Sequence, residues 1–329
     1  MALFSDIVGQ EHIKEHLQSA IVSRMTSHAY IISGEAGMGK SLVAKTFVNG
    51  LLCERGEAEP CLNCHSCKQV LSDNHPDVKV LVPEKPNVIK VDEVRKQVIN
   101  DIEIKPYSAE YKIYIIPGAE RMNPAAQNAL LKTLEEPPSY AVIILLCAGP
   151  SLMLDTIVSR CVTLELRPLK DEQVSDYLMK KLQIPDYKAQ IMAAFARGNI
   201  GRAMLLAGDE KFDAVRFLAT EILKGIKTLD ISRISAYIGE ILALETEPEE
   251  FLDYIQLFYR DVLIYKATRR DKDILLKEDI RLISQAADNS SYEGIEKILK
   301  EISGAKDRLR VNVNKELTME LVLLTIKEN

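Results

Sequence analysis

A glycine-rich loop is the segment whose residue types point most directly to chemistry. It reads GEAGMGKS and fits the phosphate-binding pattern G-x-x-x-x-G-K-[ST] at every fixed position. Its glycines allow backbone N–H groups to surround phosphate oxygens, while the lysine would reach the β- and γ-phosphates and the serine would ligate Mg²⁺. The alternative is a loop of this shape that holds no nucleotide. The loop predicts a site for ATP or ADP with Mg²⁺ formed by Gly34, Gly37, Gly39, Lys40 and Ser41.

Four cysteines follow the loop at the spacing C-x7-C-x2-C-x2-C. The two cysteines of each C-x2-C pair can bind the same tetrahedral metal, and four thiolates complete the shell that structural Zn²⁺ prefers. Four free thiols and an iron–sulfur cluster are the alternatives. His65 lies between two of the cysteines and is interpreted as a bystander, because the sulfurs already fill four places. The spacing predicts a structural zinc that staples an insertion, with the ligands Cys53, Cys61, Cys64 and Cys67.

A third feature concerns hydrolysis. An ATPase with this kind of loop ends a nearby strand with an Asp that helps to hold Mg²⁺, followed by a Glu that orients the attacking water. Here those positions hold Pro117 and Gly118, and Glu120 would lie about 10 Å further along a continuing strand unless a turn folds it back. Asp92 and Asp101 do not follow apolar strands. The pattern therefore predicts nucleotide binding with little hydrolysis.

Composition limits the class of protein. The chain has 329 residues, of which 47% are hydrophobic, and its net charge of −6 excludes a generally basic nucleic-acid binder. The first residues lack the pattern of an export signal, and the longest apolar run, 141–148, is far below the ~20 residues that span a bilayer. We therefore expect a cytoplasmic location with no membrane partner, where thiols stay reduced.

The first half of the sequence predicts an α/β fold with a parallel sheet. One apolar run ends at the phosphate loop and a helix begins after it, which is the context that such a loop needs. A helix over 123–136 is predicted from Asn123 as its cap and Pro124 at its first position. Near-continuous apolar runs are typical of central strands covered on both faces. The strands are predicted over 29–32, 78–82, 112–116 and 142–146.

After residue 167 the pattern changes to helices only. Helices are predicted over 171–182, from 185 to 198 and over 200–207, and a longer helical region runs from residue 209 to the end. The predicted domains are an α/β nucleotide-binding domain with the zinc insertion (1–167), a small helical domain (168–208) and a larger helical domain (209–329). A small-molecule kinase would leave this helical half unexplained.

Several stretches together resemble the clamp-loader branch of the AAA+ ATPases, and the resemblance covers nearly the whole length. Two are specific to clamp loaders, namely the run LLKTLEEPP at 130–138 and the triplet Ser159-Arg160-Cys161. The others are IVGQE at 7–11, the phosphate loop, the cysteine cluster, HPD at 75–77 and LRVNVN at 309–314.

The resemblance implies a division of labour within a ring of five subunits that opens a sliding clamp and places it on primer–template DNA. The small helical domain would be a lid and the last domain a collar that joins the subunits. Arg160 would act as an arginine finger in the ATP site of a neighbouring motor subunit, and Arg202 would sense the chain's own nucleotide. The partners would be the motor (gamma/tau) and delta subunits of the bacterial clamp loader.

Within that family, the motor subunits carry an Asp-Glu pair where this chain has Pro117 and Gly118. The departure favours a non-catalytic stator subunit, whereas the intact phosphate loop favours a motor subunit. A pocket that binds nucleotide without turnover would reconcile the two, and the alternative stays an ATP-hydrolysing motor of the gamma/tau kind.

Overall fold

The structure is a computed structural model that describes residues 3–208, 210–244 and 246–329. They form two compact units. The first runs up to Gln173 and includes Gly198–Gly201, and the second comprises Val174–Arg197 together with the chain from Arg202. The predicted three-part division stays a prediction, and the boundary proposed at residue 209 falls outside the described residues.

The first unit contains a parallel sheet, as the apolar runs predicted, but the sheet has five strands where four were predicted. The strands are β1 (Ala29–Ser33), β2 (Val78–Val80), β3 (Lys112–Pro117), β4 (Ala141–Cys147) and β5 (Val162–Glu165). Their order in the sheet is β2-β3-β4-β1-β5, so the strand that leads into the phosphate loop lies between β4 and β5.

Helices cover both faces of this sheet. Because side chains alternate along a strand, Ile32 and Ile144 point into one core cluster, and Ile31 and Ile143 point into the other. Helix α6 begins where the sequence predicted, with the Asn123 side chain accepting a hydrogen bond from the N–H of residue 126. The helices longer than one turn are α1 (Glu11–Ser23), α2 (Lys40–Leu51), α3 (His65–Leu71) and α6 (Pro124–Glu135), and the short ones include α4 (Val91–Val94), α5 (Asn100–Ile102) and α7 (Asp155–Val158).

The strand β5 was not predicted from the sequence. It is short and lies at the edge of the sheet, where only Leu164 is buried and its neighbours are partly or fully exposed. An edge strand of this kind lacks the continuous apolar run that marks a central strand, so tertiary pairing with β1 decides its conformation.

The second unit is helical, as predicted, although it also takes up most of the predicted small helical domain. Among its described residues, long helices bury one apolar face each, as Phe251, Ile255 and Phe258 do in α13. Within the described ranges, every helix is too short or too polar to cross a bilayer. The helices that follow the sheet are α8 (Asp171–Leu182), α9 (Asp186–Ala196), α10 (Ile200–Ala207), α11 (Glu210–Gly225), α12 (Ile231–Ala243), α13 (Pro248–Thr268), α14 (Ile280–Asn289), α15 (Tyr292–Arg310) and α16 (Lys315–Glu328).

A charged cluster ties β3 to the segment before it. Asp101 accepts hydrogen bonds from Lys79 at 2.7 Å and Tyr114 at 2.7 Å and pairs with the buried Lys112 at 2.8 Å. Burial alone would raise the pKa of Asp101, but the hydrogen bonds from Lys112, Lys79 and Tyr114 outweigh it and lower the pKa to about 2.

We expect this cluster to make stability depend on acid. Because the folded pKa of Asp101 is lower than the unfolded one, its contribution is present above about pH 4 and is lost as the pH falls towards 2. Asp101→Asn should lower the free energy of unfolding by about 2 kcal/mol at pH 7 and by about half as much at pH 3. Urea unfolding followed by circular dichroism measures both values. Asp92→Asn, which changes an exposed carboxylate, should have little effect, and an equal loss for Asp101→Asn at both pH values would contradict the prediction.

Candidate nucleotide and metal sites

The phosphate loop occupies the position that its sequence predicted, between β1 and the first residue of α2. Gly37 and Gly39 have φ angles of 85° and 93°, a left-handed conformation that favours glycine. A Cβ added at Gly39 would meet no atom within 4 Å, so the loop opens onto free space at this point. These residues, together with the start of a helix, fit a phosphate group.

The lysine of the loop lies against its own backbone. Lys40 Nζ donates to the carbonyl oxygens of Gly34 and, at 2.9 Å, of Glu35. Burial lowers the pKa of Lys40, and the nearby Glu120, Cys147 and Glu35 partly offset this shift. The role of Lys40 towards the phosphates of a nucleotide stays a prediction.

A short segment from later in the chain packs on the same loop. Asn199 Nδ2 donates to the carbonyl of Ala36 at 2.8 Å, and the N–H of Gly201 donates to the carbonyl of Gly37 at 3.0 Å. A Cβ at Gly201 would lie 2.5 Å from the Gly37 carbonyl oxygen, so only glycine permits this approach. These contacts were not predicted from the sequence, because only the tertiary structure brings the two segments together.

Arg202, the predicted nucleotide sensor, belongs to the second unit. There its guanidinium bonds the carboxylate of Asp253 at 2.6 Å, and Arg197 and Lys306 bind the same carboxylate. Asp253 is buried, so this carboxylate is the common partner of the three cations. The role of Arg202 towards a nucleotide stays a prediction.

The end of β3 shows what replaces the acids of an ATPase. Gly118 adopts a φ angle of 64°, and the guanidinium of Arg121 lies where its side chain would be. Arg121 donates to the carbonyls of Pro117 at 2.8 Å and Gly118 at 3.3 Å. Pro117 and Gly118 therefore lie beside a cation. Glu120 does not extend beyond the strand but lies in the helical turn Ala119–Arg121.

The four predicted metal ligands lie together. The Sγ atoms of Cys53, Cys61, Cys64 and Cys67 are all within 4.8 Å of one another, and those of Cys61 and Cys67 are 3.9 Å apart. Four sulfurs about 2.3 Å from a central Zn²⁺ in a tetrahedron would lie about 3.8 Å from one another, so this arrangement fits the ion.

Local structure orients these sulfurs. Each of three sulfurs accepts a hydrogen bond from the backbone N–H of the next cysteine in the cluster, and Cys64 caps α3. Hydrogen bonds from the N–H groups of Asn63 and Cys64 lower the pKa of Cys61 to about 6, which favours the thiolate that binds metal. His65 is exposed on the first turn of α3.

The motif His75-Pro76-Asp77 connects this cluster to the sheet. His75 hydrogen-bonds Ser66 of α3 at 3.0 Å, and the carboxylate of Asp77 accepts the N–H groups of residues 107–109. Burial opposes ionisation of Asp77, but these hydrogen bonds outweigh it and lower its pKa. The motif is therefore structural.

Arg160 lies near the end of the sheet where the parallel strands begin, whereas the phosphate loop lies at the end where they finish. Arg160 precedes β5, whose Val162 pairs with Tyr30 near the start of β1, whereas the loop follows Ser33 at the other end of β1. The two ends are about 10 Å apart along the strand. The guanidinium is partly exposed, bonds Glu135 at 2.7 Å and donates to the carbonyl of Thr156 at 2.8 Å. Glu135, in the run LLKTLEEPP, was not predicted as its partner.

The parallel sheet with the phosphate loop after β1, together with the helical second unit, defines a P-loop α/β protein that carries a helical unit. Two family models match the chain, "DNA polymerase III, delta subunit" over residues 9–170 and "DNA polymerase III, delta subunit, C terminal" over residues 223–328. DNA polymerase III subunit delta' of Bacillus subtilis is 30% identical over 325 residues, which cover 97% of this chain and 96% of that protein. The chain therefore belongs to the DNA polymerase III subunit delta' family.

Other relatives agree with this assignment. Subunit delta' of Pseudomonas aeruginosa is 30% identical over 307 residues, with 91% of both chains covered. DNA polymerase III subunit tau of Bacillus subtilis is also 30% identical, over 83% of this chain but only 52% of the tau protein. The two delta' relatives are matched over 91% or more of their own length, whereas tau is matched over about half of its own.

Proposed function

We propose that this chain is the stator subunit of a bacterial clamp loader and that it lends Arg160 to the ATP site of a neighbouring motor subunit. The observation that carries the proposal is the position of Arg160, which lies at the edge of the sheet away from the chain's own phosphate loop. This position favours a role towards a nucleotide bound to another subunit over a role in the chain's own site. A planar guanidinium suits this task, because it stabilises the charge that develops on a transferred γ-phosphate.

The chain's own site would bind ATP or ADP without turning it over. Gly34, Gly37, Gly39 and Lys40 would hold the phosphates and Ser41 would ligate Mg²⁺, which neutralises phosphate charge when bound. Arg202 would sense the nucleotide from the lid. No acid stands at positions 117 and 118 to orient a water molecule, and this favours a nucleotide that stabilises the fold over one that is consumed.

We further propose that the cysteine cluster holds a structural zinc. A closed set of four sulfurs leaves no open position for a substrate, so the ion would fix the segment between α2 and β2. The partners would be the gamma/tau motor and delta subunits, and the complex would contact the sliding clamp and primer–template DNA. The lid (168–208) and the collar (209–329) would complete each subunit, the collar by joining the subunits.

A working motor subunit of the gamma/tau kind is the second candidate. The intact phosphate loop and the 30% identity with a tau subunit favour it. The guanidinium of Arg121 beside Gly118 argues against it, because a motor needs carboxylates at this point to hold metal and orient water.

Steady-state turnover of the purified chain separates these candidates. We expect ATP hydrolysis near the background rate, because catalysis in this class depends on charge and positioning that the end of β3 does not supply. Lys40→Ala should leave that rate unchanged. A robust rate that disappears in Lys40→Ala would overturn the stator proposal, as would failure of the chain to co-purify with motor and delta subunits.

A further inference from the structure

An acid that the motif does not assign, Glu120, follows the end of β3 and acts on the charge of the loop lysine. After β3 ends at Pro117, the left-handed Gly118 reverses the chain, and a single helical turn, Ala119–Arg121, carries Glu120 back to the end of the sheet. The register places this turn beside the loop, because Pro117 pairs with Leu146 of β4 and the next residue, Cys147, pairs with Ser33 of β1. The strands β1, β3 and β4 therefore all finish at the same end of the sheet.

Electrostatic effects place Glu120 close to the residues of the site. Burial raises the pKa of Cys147 to about 11, with a further increase from Glu120 and a decrease from Lys40. Glu120 is also the charged group that most offsets the lowered pKa of Lys40. A carboxylate, a thiol and the loop lysine thus lie near one another at the carboxyl edge of the sheet.

One oxygen of this carboxylate is unsatisfied. Glu120 Oε2 is buried and has no hydrogen-bond partner among the described residues. A buried carboxylate oxygen without a partner is costly, and the cost is relieved when a cation or its water shell approaches. Mg²⁺ in nucleotide sites is held through one or two carboxylates together with phosphate oxygens and water. The orphaned oxygen therefore has the chemistry of a magnesium ligand.

We propose that Glu120 is the acidic residue that holds the Mg²⁺ of a bound nucleotide, three positions beyond the place where the motor subunits carry their acid. The proposal rests on the nucleotide site proposed above. A single carboxylate accounts for metal-dependent binding, and positions 117 and 118 hold no acid to orient water, so it explains how the pocket would retain a nucleotide without consuming it.

The proposal predicts that Glu120→Gln changes the dissociation constant for ATP in opposite directions with and without Mg²⁺. Without Mg²⁺, the Glu120 carboxylate repels the phosphates, so Glu120→Gln should bind ATP two- to threefold more tightly than the unmodified chain in EDTA. With saturating Mg²⁺, the carboxylate attracts the ion, so the same variant should bind ATP about tenfold more weakly, the size of effect expected for one charge pair near a protein surface. Isothermal titration calorimetry with ATP, in EDTA and in Mg²⁺, measures all four dissociation constants.

Matched variants show whether the effect belongs to this carboxylate. Glu110→Gln, at an exposed position of the same unit, should leave all dissociation constants unchanged, and circular dichroism should show equal folding of each variant. Equal weakening of binding by Glu120→Gln in both conditions would indicate a structural role and overturn the proposal. An unchanged Mg²⁺ dependence would also overturn it, as would the absence of ATP binding to the unmodified chain. None of these outcomes affects the role proposed for Arg160, which is tested in the neighbour's site.

Discussion

Arg160→Ala is expected to abolish hydrolysis at one ATP site of a reconstituted clamp loader while leaving this chain folded. An arginine finger contributes about 10³-fold or more to turnover, so the site that it completes should become silent. The steady-state ATPase rate of the complex should then fall by the fraction of the total rate that this site contributes. The assay is clamp- and DNA-stimulated ATP hydrolysis by a complex assembled from purified subunits.

Two further variants distinguish a finger from a surface charge. Arg160→Lys keeps the charge but loses the planar fork that contacts two phosphate oxygens, so it should recover only a small part of the rate. Arg95→Ala removes an exposed arginine of the same unit and should change nothing. The ion pair of Arg160 with Glu135 is exposed and worth little, so Arg160→Ala should unfold with the stability of the unmodified chain. Full ATPase activity with Ala at this position would reduce Arg160 to a solvated surface residue.

Zinc content should fall from about one ion per chain to near zero in Cys64→Ser. Cys64 is shared by both C-x2-C steps, and its sulfur also caps α3, so no alternative donor replaces it within the cluster. Because the metal binds the folded segment and not the unfolded chain, its loss reduces stability. A loss of about 2 kcal/mol would lower the melting temperature of a unit of this size by about 4–8 °C.

Metal analysis by mass spectrometry and melting followed by circular dichroism measure the two effects. Cys161→Ser is the matched control, because it removes a cysteine outside the cluster and should retain the zinc. Treatment of the unmodified chain with a strong chelator should reproduce the lower melting temperature of Cys64→Ser. Purified chain without zinc, and with no stabilisation when zinc is added, would exclude the staple.

The elements that the sequence predicted correctly are those whose signal is local. Apolar runs long enough to be covered on both faces indicated β1, β3 and β4, and a capping Asn followed by Pro indicated α6. The phosphate loop and the cysteine spacing are equally local, since each motif needs only one stretch of chain. These features survived in the structure because packing reinforces what each segment prefers alone.

Other features depend on which segments meet. The strand β5 has too short an apolar pattern to be recognised before it pairs with β1. The close contact of Gly201 with the phosphate loop brings together residues that are more than 160 positions apart in the chain. A single sequence carries no information on such encounters, because they result from the packing of the whole unit.

The sequence by itself determined that this chain has a phosphate-loop motif, four closely spaced cysteines and no acid pair at positions 117 and 118, because the identity and spacing of residues fix these features. Only the tertiary structure decided where Arg160 and Glu120 lie. Parallel pairing puts Arg160 at the edge remote from the loop, and one left-handed glycine brings Glu120 back to the loop. The place of a side chain in the fold depends on strand order and turn geometry, which residue types alone do not specify.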